Sequence, residues 1–480
     1  MRAGRGLPDS VMPVNPSQSQ GAARTLPAAA PVDLGDRPEL DQLQAAGVVG
    51  MGGAGFPTHA KYRFAAEVVV ANGAECEPLL WTDKRLLSAW AGEVWEGLAR
   101  AVQLVGAQRG ILAVKKHYGE VVDIIGSALG ARGKGGAPLE LFLLRNTYPA
   151  GDEFTLVQQV LGRTLPEAGL PLHRGVVVSN VATLRAVHRA LAFGEALTTR
   201  LVTVTGEVAR PGVFEAPIGA SLAALVEAAG GPRRKGVRLI AGGPMMGQVV
   251  TDPATPVLKT TSGLLVLPSE HPLVRRKLED PKDKLRLARA ACCLCMSCTD
   301  VCPRHALGHR IWPHRLMQSV AAGLSADTEA YLGALLCCEC GLCTQFGCPL
   351  HLDPCRMNIE VKAELRARGM SFPARPESQP SPFWQEKQVP APRLLARLEL
   401  SRYARALDLI TEPVRCGEVT LLTRQGVGQP ATPSVEVGQA VTRGQTVAKP
   451  GGKLSAALHA SMDGVVAEVT PDRIVVRRPS

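Results

Sequence analysis

The chain has 480 residues, 46% of them apolar but only 4% aromatic, and a formal net charge of +11. That length suggests three or four domains with aliphatic, alanine-rich cores, and no apolar run reaches the roughly twenty residues a membrane-spanning helix needs. The positive charge lies in short runs such as Arg233-Arg234-Lys235 and Arg275-Arg276-Lys277. With no nucleic-acid module beside them, these favour an acidic protein partner or anionic cofactors over nucleic acid.

Residues 1–36 are rich in Gly, Pro, Ser, Ala and Gln without periodicity and read as a disordered tail, with no secretory signal. A short helix over 38–46 leads into Gly50-Met51-Gly52-Gly53-Ala54-Gly55-Phe56-Pro57-Thr58. This contains G-x-G-x-x-G, and Glu75 follows at about the twenty-residue spacing of a dinucleotide fingerprint. The residues before Gly50 are helical in pattern, however, and Pro57 and Thr58 interrupt the helix that should follow, which argues against a Rossmann motif. What remains is a run of glycine amides able to approach and cradle a phosphate.

The predicted elements then alternate. Strand 67–71 ends in Asn72-Gly73-Ala74-Glu75-Cys76-Glu77-Pro78, and helix 84–104, strand 110–114, helix 119–129 and strand 139–144 come next. This is the pattern of an α/β sandwich, which binds ligands at strand ends. Tyr148-Pro149-Ala150-Gly151-Asp152-Glu153 opens another helix, where two carboxylates suit N-terminal capping. Strand 175–178 ends in Ser179-Asn180-Val181-Ala182-Thr183, again at a helix start. Residues 200–270 change to alternating strands with turns, a helix over 221–229, and the glycine turn Ala241 to Gly247, read as a backbone turn packed against the preceding domain.

Cys292, Cys295, Cys298 and Cys302, closed by Pro303, follow C-x2-C-x2-C-x3-C-P, the bacterial ferredoxin run for a [4Fe–4S] cluster. Cys337, Cys340, Cys343 and Cys348, closed by Pro349, repeat it with one extra residue before the last cysteine. The fourth cysteine of such a run ligates the other cluster of a pair. Crossed ligation therefore groups Cys292, Cys295, Cys298 and Cys348 on one cluster, and Cys337, Cys340, Cys343 and Cys302 on the other. Zinc prefers two C-x2-C pairs, and disulfide frameworks belong to short secreted chains. Cys293, Cys338 and Cys355 read as small buried residues, and Cys76 and Cys416 as unrelated. Clusters and reduced thiols imply a reducing, cytoplasmic setting. Residues 373–392 read as a linker, a helix is expected around 390–409, and short strands run from Val414 to the end.

Gly50 to Lys61, Asn72 to Pro78, Tyr148 to Glu153 and Ser179 to Leu184 together resemble the FMN- and NADH-binding domain shared by the flavoprotein subunit of respiratory complex I and RnfC-type proteins. The resemblance implies that Gly50, Gly52, Gly53 and Lys61 hold the FMN phosphate. It gives the isoalloxazine and ribityl to Asn72, Glu75, Gly151, Asp152 and Glu153, and adds Asn180 and Thr183 at the helix start. Phe56, Glu77 and Glu153 would receive NADH. Met51 stands where complex I carries arginine and RnfC-like members carry methionine. Residues 199–272 resemble an SLBB-like β-grasp module, and 413–480 resemble the barrel-sandwich hybrid of lipoyl and biotinyl carriers. Ser461-Met462-Asp463 lacks the carrier lysine, so a docking or packing role is expected there.

In RnfC the barrel-sandwich piece precedes the flavin domain; here it comes last. That order, with Cys302 to His309 and Leu336 to Cys343, resembles the PduS family of corrinoid reductases from propanediol-utilisation microcompartments. The expected fold class is multidomain α/β: a tail (1–36), an FMN/NADH-binding α/β sandwich (37–198), the β-grasp module, a helical ferredoxin-like domain with two [4Fe–4S] clusters (280–372), a linker and helix (373–412), and the barrel-sandwich hybrid. The implied activity is NADH-dependent electron transfer through FMN and both clusters, reducing cob(III)/cob(II)alamin toward cob(I)alamin for an adenosylcobalamin-dependent microcompartment enzyme. An adenosyltransferase and microcompartment shell proteins are the implied partners. An NADH-oxidising shuttle to a protein partner, and an RnfC-like coupling subunit of a membrane complex, are the alternatives. No catalytic side chain is expected, since hydride transfer needs positioning and an electron sink. His305, His309 and His314 lie near the cysteines, but no Asp-x-His-x-x-Gly corrinoid motif is present, and such histidines are more often structural.

Overall fold

The computed structural model describes residues 32–131, 136–324, 326–373 and 377–479. The tail expected over 1–36 therefore lies outside the described residues except for its last five. Those five are tied down: Leu34 N–H donates to the Arg63 carbonyl, and Arg63 pairs with Asp33 and Asp36. The chain divides into two compact units, a larger one of residues 31–145, 175–274 and 403–480, and a smaller one whose described residues fall in 146–174 and 275–402. Among the described residues no helix is long and apolar enough to cross a membrane.

The larger unit begins with helices α1 (Pro38–Ala45) and α2 (Thr58–Tyr62) around the glycine loop. Pro57 does not interrupt a helix but precedes one: its fixed φ and missing N–H suit the position ahead of the first turn. Then come β1 (Val68–Gly73), α3 (Thr82–Leu104), β2 (Arg109–Lys115), α4 (Glu120–Ala131), β3 (Leu139–Leu144), β4 (Val176–Asn180) and α5 (Val181–Phe193). The strands form a four-stranded parallel sheet in the order β3-β2-β1-β4. Val68-Val69-Val70, Ile111 to Val114 and Val176-Val177-Val178 are buried, and a strand enclosed on both faces reads as an unbroken apolar run. β1 runs two residues past its expected end, to Gly73, because its pairing with β2 continues to Val114. Helices α3 and α5 pack so closely that a Cβ on Gly97 would lie 2.0 Å from the Leu184 carbonyl oxygen.

The chain continues through β5 (Thr199–Gly206), β6 (Gly212–Pro217), α6 (Leu222–Ala228), β7 (Val237–Ala241), β8 (Gln248–Val250) and β9 (Gly263–Pro268). With Leu409–Ile410 these form a six-stranded mixed sheet, and Ser221 caps α6 by accepting the Ala224 N–H. The last seventy or so residues build a four-stranded and a three-stranded sheet enclosing Val419, Leu421, Val447, Leu458, Val466 and Ile474.

The smaller unit is helical. Pro281–Ala291, Pro313–Ala322, Thr328–Gly333 and Pro354–Ala367 surround Leu285, Leu316, Val320, Tyr331, Met357 and Leu365. The helix expected over 390–409 is instead Ala391–Arg397 followed by a 3-10 turn, Ser401–Tyr403. Between them Glu399 takes a left-handed φ of 59°, which a helix does not tolerate. The segment expected as a spacer is anchored: Ser381 N–H donates to the Ala306 carbonyl, and Val389 pairs with Tyr148.

Gly97→Ala is expected to lower stability by about 2 kcal/mol through overpacking, read as a lower denaturant midpoint at constant m. Gly92→Ala, on the same helix but in open space, is the control and should gain about 0.5–1 kcal/mol.

Candidate functional site

The sheet order reverses between β1 and β4, so their carboxyl ends open into the crevice where α/β folds bind ligands. The register sets Asn72 opposite Asn180 at that point. Asn180 caps α5 by accepting the Ala182 N–H, while its amide donates to Asp83 Oδ2 at 2.9 Å and to the Asn72 carbonyl at 3.4 Å. The buried Thr183 Oγ1 accepts the Met51 N–H at 2.9 Å, which fastens the glycine loop to the helix start. A Cβ on Gly52 would come within 2.8 Å of the Asn180 side chain, while Gly53 faces open space. Gly50 N–H donates to the Phe56 carbonyl and closes the loop. Lys61 Nζ donates to the Val178 carbonyl at 3.0 Å. Gly50, Gly52, Gly53, Lys61, Asn72, Asn180 and Thr183 thus surround one crevice, and the exposed residues Gly52 and Gly53 lie in a glycine loop of the kind phosphates occupy.

Beside the cradle is a charge cluster that no motif announces. Glu75 Oε2 accepts the Asp83 N–H at 2.6 Å, and Lys115 donates to the Glu75 carbonyl. Arg200, 2% exposed, donates to the carbonyls of Met51 and Thr261. Burial and the neighbouring Asp83 charge push the Glu75 carboxyl up to about 8, and burial pushes the Lys115 ammonium down. Arg200 Nη1 and the Tyr118 hydroxyl are buried without a hydrogen-bond partner among the described residues. Leaving such groups unsatisfied costs about 1–3 kcal/mol each, so this donor set, next to a glycine cradle, fits a phosphorylated, polar-ring ligand such as FMN. Lys115 at the end of β2 is where the strand-end rule points. Asp83 and Arg200 carry no local signal, because Arg200 reaches Met51 across 149 residues of chain.

Glu77 is engaged by the turn Ala241 to Gly247. The N–H groups of Met245 and Met246 donate to its two oxygens at 2.9 and 2.8 Å. Gly243 lies so close that a Cβ would fall 2.2 Å from Glu77 Oε2. Phe56 is half-buried at the end of the glycine loop.

In the smaller unit the two cysteine runs fold into matching loops. Leu294 and Met296, with φ of 56° and 63°, flank Cys295; Glu339 and Gly341, with φ of 61° and 78°, flank Cys340. Left-handed residues at the same loop positions wrap both runs alike, at a cost of about 1–2 kcal/mol for each non-glycine. The extra residue of the second run is taken up as a π-helical turn over Cys343–Gly347, where the first run has the α-turn Ser297–Asp300. A π-turn absorbs one residue without displacing the chain beyond it. Cys292, Cys295, Cys298 and Cys348 line a single cavity. Cys302 lies in the field of Cys338 and Cys337, Cys340 in that of Cys338, Cys343 and Cys302, and Cys343 in that of Cys337, Cys302 and, from the other group, Cys298. All thirteen cysteines are free thiols. Among the described residues no three His, Cys, Asp or Glu side chains converge as a single-ion site. Two sets of four thiols, one of them ringing a cavity, fit multi-iron cores. Of the three cysteines expected as small buried residues, Cys355 is buried and lies in the field of Cys337 and Cys343, Cys338 is half-buried and Cys293 is exposed; Lys362 braces the second loop through the Cys337 carbonyl and Glu339.

The turn Gly151-Asp152-Glu153 is also in the smaller unit. Asp152 caps the helix Glu153–Leu161 by accepting the Thr155 N–H, and it receives both ends of the Arg304 guanidinium at 2.6 and 2.9 Å. Arg304 is buried, stacks on Phe154 at 3.6 Å, and lies in the field of Cys302 and Cys338. The Tyr148 hydroxyl donates to the Cys340 carbonyl at 2.7 Å. His309 donates to the Leu165 carbonyl, and His314 pairs with Thr299, so both rings have structural partners.

Family models match the chain in sequence order: a Nuo51 FMN-binding domain over residues 43–189, an SLBB domain over 201–249, a 4Fe-4S dicluster domain over 291–353, and an RnfC barrel sandwich hybrid domain over 406–478. The chain is 40% identical over 441 residues to cobalamin reductase PduS of Salmonella typhimurium, covering 91% of this chain and 96% of that protein. It matches cobalamin reductase PduS of Citrobacter freundii at the same identity and coverage. It is 36% identical over 267 residues to a subunit of the Na(+)-translocating ferredoxin:NAD(+) oxidoreductase complex of Acetobacterium woodii, covering 54% of this chain and 56% of that one. The expected multidomain α/β class, with flavin, β-grasp, dicluster and barrel-sandwich modules, is the observed one.

If ligation is crossed, Cys348→Ser should alter the same EPR signal as Cys295→Ser, and Cys302→Ser the same as Cys340→Ser. Each change is expected to cost about four of roughly eight irons. A Cys348→Ser spectrum matching that of Cys340→Ser would refute the grouping. The folded state holds the Glu75 proton up to about pH 8, against 4.5 for an ordinary glutamate. Stability from this group is therefore full at low pH and is lost as pH rises through that window. Glu75→Gln should flatten that fall in the melting temperature of flavin-free protein.

Proposed function

This chain belongs to the family of the cobalamin reductases PduS, and on that premise we propose that it oxidises NADH and passes the electrons singly, through FMN and two [4Fe–4S] clusters, to cobalamin. The observation that carries this reading is the coexistence of a glycine cradle at the β1–β4 crevice with two crossed sets of four thiols. NADH yields two electrons as hydride, whereas a [4Fe–4S] cluster carries one. A bound flavin supplies the conversion between the two.

The chain's own residues bind and orient. Gly50, Gly52, Gly53 and Lys61 hold the FMN phosphate, and Asn72, Glu75, Asn180 and Thr183 orient the ribityl and ring. Phe56 and Glu77 receive NADH, and the Met245 and Met246 amides keep the Glu77 carboxylate fixed in direction. Cys292, Cys295, Cys298 and Cys348 hold one cluster and Cys302, Cys337, Cys340 and Cys343 the other. No side chain donates or abstracts a proton in the transfer.

Each NADH releases one proton and supplies two electrons, which take two cob(III)alamin to cob(II)alamin or two cob(II)alamin to cob(I)alamin, the form that an adenosyltransferase converts for an adenosylcobalamin-dependent enzyme. The setting is the cytoplasm, inside or at the shell of a bacterial microcompartment. The position of the barrel-sandwich module after the flavin module favours this reading over a membrane coupling subunit.

In an anaerobic titration, about two NADH per chain should bleach one FMN and two clusters, since four electrons fill them. Cob(III)alamin added last should then give the cob(II)alamin spectrum with turnover. Bleaching without cobalamin turnover would remove cobalamin as the acceptor; absence of bleaching would remove NADH as the donor.

A further inference from the structure

The two thiol groups differ in exposure in a way that ligation alone does not require. Cys302, Cys340 and Cys343 are 7%, 8% and 8% exposed, and this group is tied through Tyr148 and Arg304 to the segment carrying Gly151, Asp152 and Glu153. The fourth member of that group, Cys337, is half-buried; in the other group Cys295 is exposed, Cys292 and Cys298 are half-buried, and only Cys348 is buried. Its loop presents large apolar side chains to solvent: Leu294 is 46%, Met296 46% and Leu350 43% exposed. All three line the same cavity as Cys292, Cys295, Cys298 and Cys348.

The loop geometry does not demand these residues. At the equivalent left-handed positions the second run carries Glu339 and Gly341, so charge or no side chain serves the backbone equally well. Leucine and methionine in solvent around a redox centre are the mark of a contact face.

The frame around them is basic. Residues 275–291, which lead into Cys292, hold seven Lys and Arg against three Asp and Glu. Arg276, Lys284 and Arg397 lie around His351, next to Leu350, with two acids among them: Glu279, which pairs with the buried Lys284, and Glu399, which faces Arg276. Arg397 donates to the Cys348 carbonyl at 3.3 Å, and Lys284 to the His351 carbonyl at 2.9 Å. An apolar centre inside a rim of one charge sign suits a brief, electrostatically steered encounter with a protein of the opposite sign.

We infer that the rim formed by Leu294, Met296 and Leu350 is the docking face for an acidic one-electron carrier protein, a second acceptor beside cobalamin, and that this carrier takes electrons from the cluster held by Cys292, Cys295, Cys298 and Cys348. This rests on the electron path proposed above and gives it an order: the buried group receives, the exposed group delivers. At each encounter the cluster loses one electron, the carrier gains one, and no proton or bond changes hands at this face.

The test uses the full-length holoprotein carrying Leu294→Glu with Met296→Gly. This gives the first loop the residues that the second loop holds at the same positions, so both clusters should be retained, as iron content and EPR will show. Oxidised flavodoxin is the acidic probe, cytochrome c the basic counter-probe and hydroxocobalamin the small acceptor. Dithionite-reduced protein is re-oxidised in stopped flow, and flavodoxin affinity is measured separately by titration. Re-oxidation by flavodoxin should fall about tenfold from low to high salt, and the variant should lower both rate and affinity about tenfold, with cytochrome c not slowed. NADH–ferricyanide turnover should be unchanged, and because dithionite replaces NADH, a failure of the donor side leaves this result readable. Equal behaviour of variant and parent toward flavodoxin would overturn the proposal. So would a preference for cytochrome c, or a loss confined to hydroxocobalamin, which would assign the face to a corrinoid.

Discussion

The parallel pairing of β1 with β4 is the contact on which the larger unit depends. It joins Val68–Asn72 to Val176–Asn180, strands separated along the chain by three helices and three further strands. Because neither strand can complete its ladder without the other, the pairing fixes the sheet order and, with it, the place where the winding reverses. Everything at the crevice depends on that. Asn180 reaches Asn72 and Asp83, Thr183 reaches the Met51 amide, and Gly52 lies against Asn180. The glycine loop has no strand in front of it to hold it, as a Rossmann loop does. It is held from the side, by a helix start far along the chain and by the Arg200 guanidinium.

The smaller unit solves a different problem with short-range means. Each loop wraps itself through left-handed residues on both sides of its middle cysteine, and each run sends its last cysteine to the other group. The second run carries one residue more than the first, and the π-turn at Cys343–Gly347 absorbs it locally. Cys348 consequently still reaches Cys292, Cys295 and Cys298. Arg304, two residues after Cys302, binds Asp152 with both ends of its guanidinium. A bidentate pair at a buried helix N-terminus is geometrically strict, so the turn bearing Gly151 and Glu153 is oriented by the cysteine region and not by its own helix alone.

Charge is distributed unevenly between these places. The crevice of the larger unit buries Glu75, Asp83, Lys115 and Arg200 in one another's fields, an environment in which polar groups have little freedom to reorient and which suits a rigidly held polar ligand. The surface around the exposed thiols is cationic and apolar instead, which suits transient contact. The buried thiols differ from both: they are shielded from solvent and linked to the Asp152 turn by a tyrosine hydroxyl and an arginine.

Much of this is legible in the residues alone, where the information is local. The cysteine spacing, the glycine loop, the alternating elements of the α/β sandwich and the order of the modules are all written in short stretches, because a cubane loop or a βα unit is specified by neighbours a few residues apart. The extents of Pro57–Tyr62 and of residues 390–409 are not, since a proline can begin a helix as well as end one, and a single left-handed residue such as Glu399 can break one. What only the tertiary structure decided is long-range. Asp83, Lys115, Arg200 and Tyr118 at the crevice, the Glu77 contact with Met245 and Met246, and the Asp152–Arg304 pair join residues that no motif connects. So does the difference in exposure between the two thiol groups. Those depend on which surfaces meet when the chain closes, and a linear pattern carries no distance information about pairs separated by a hundred residues or more.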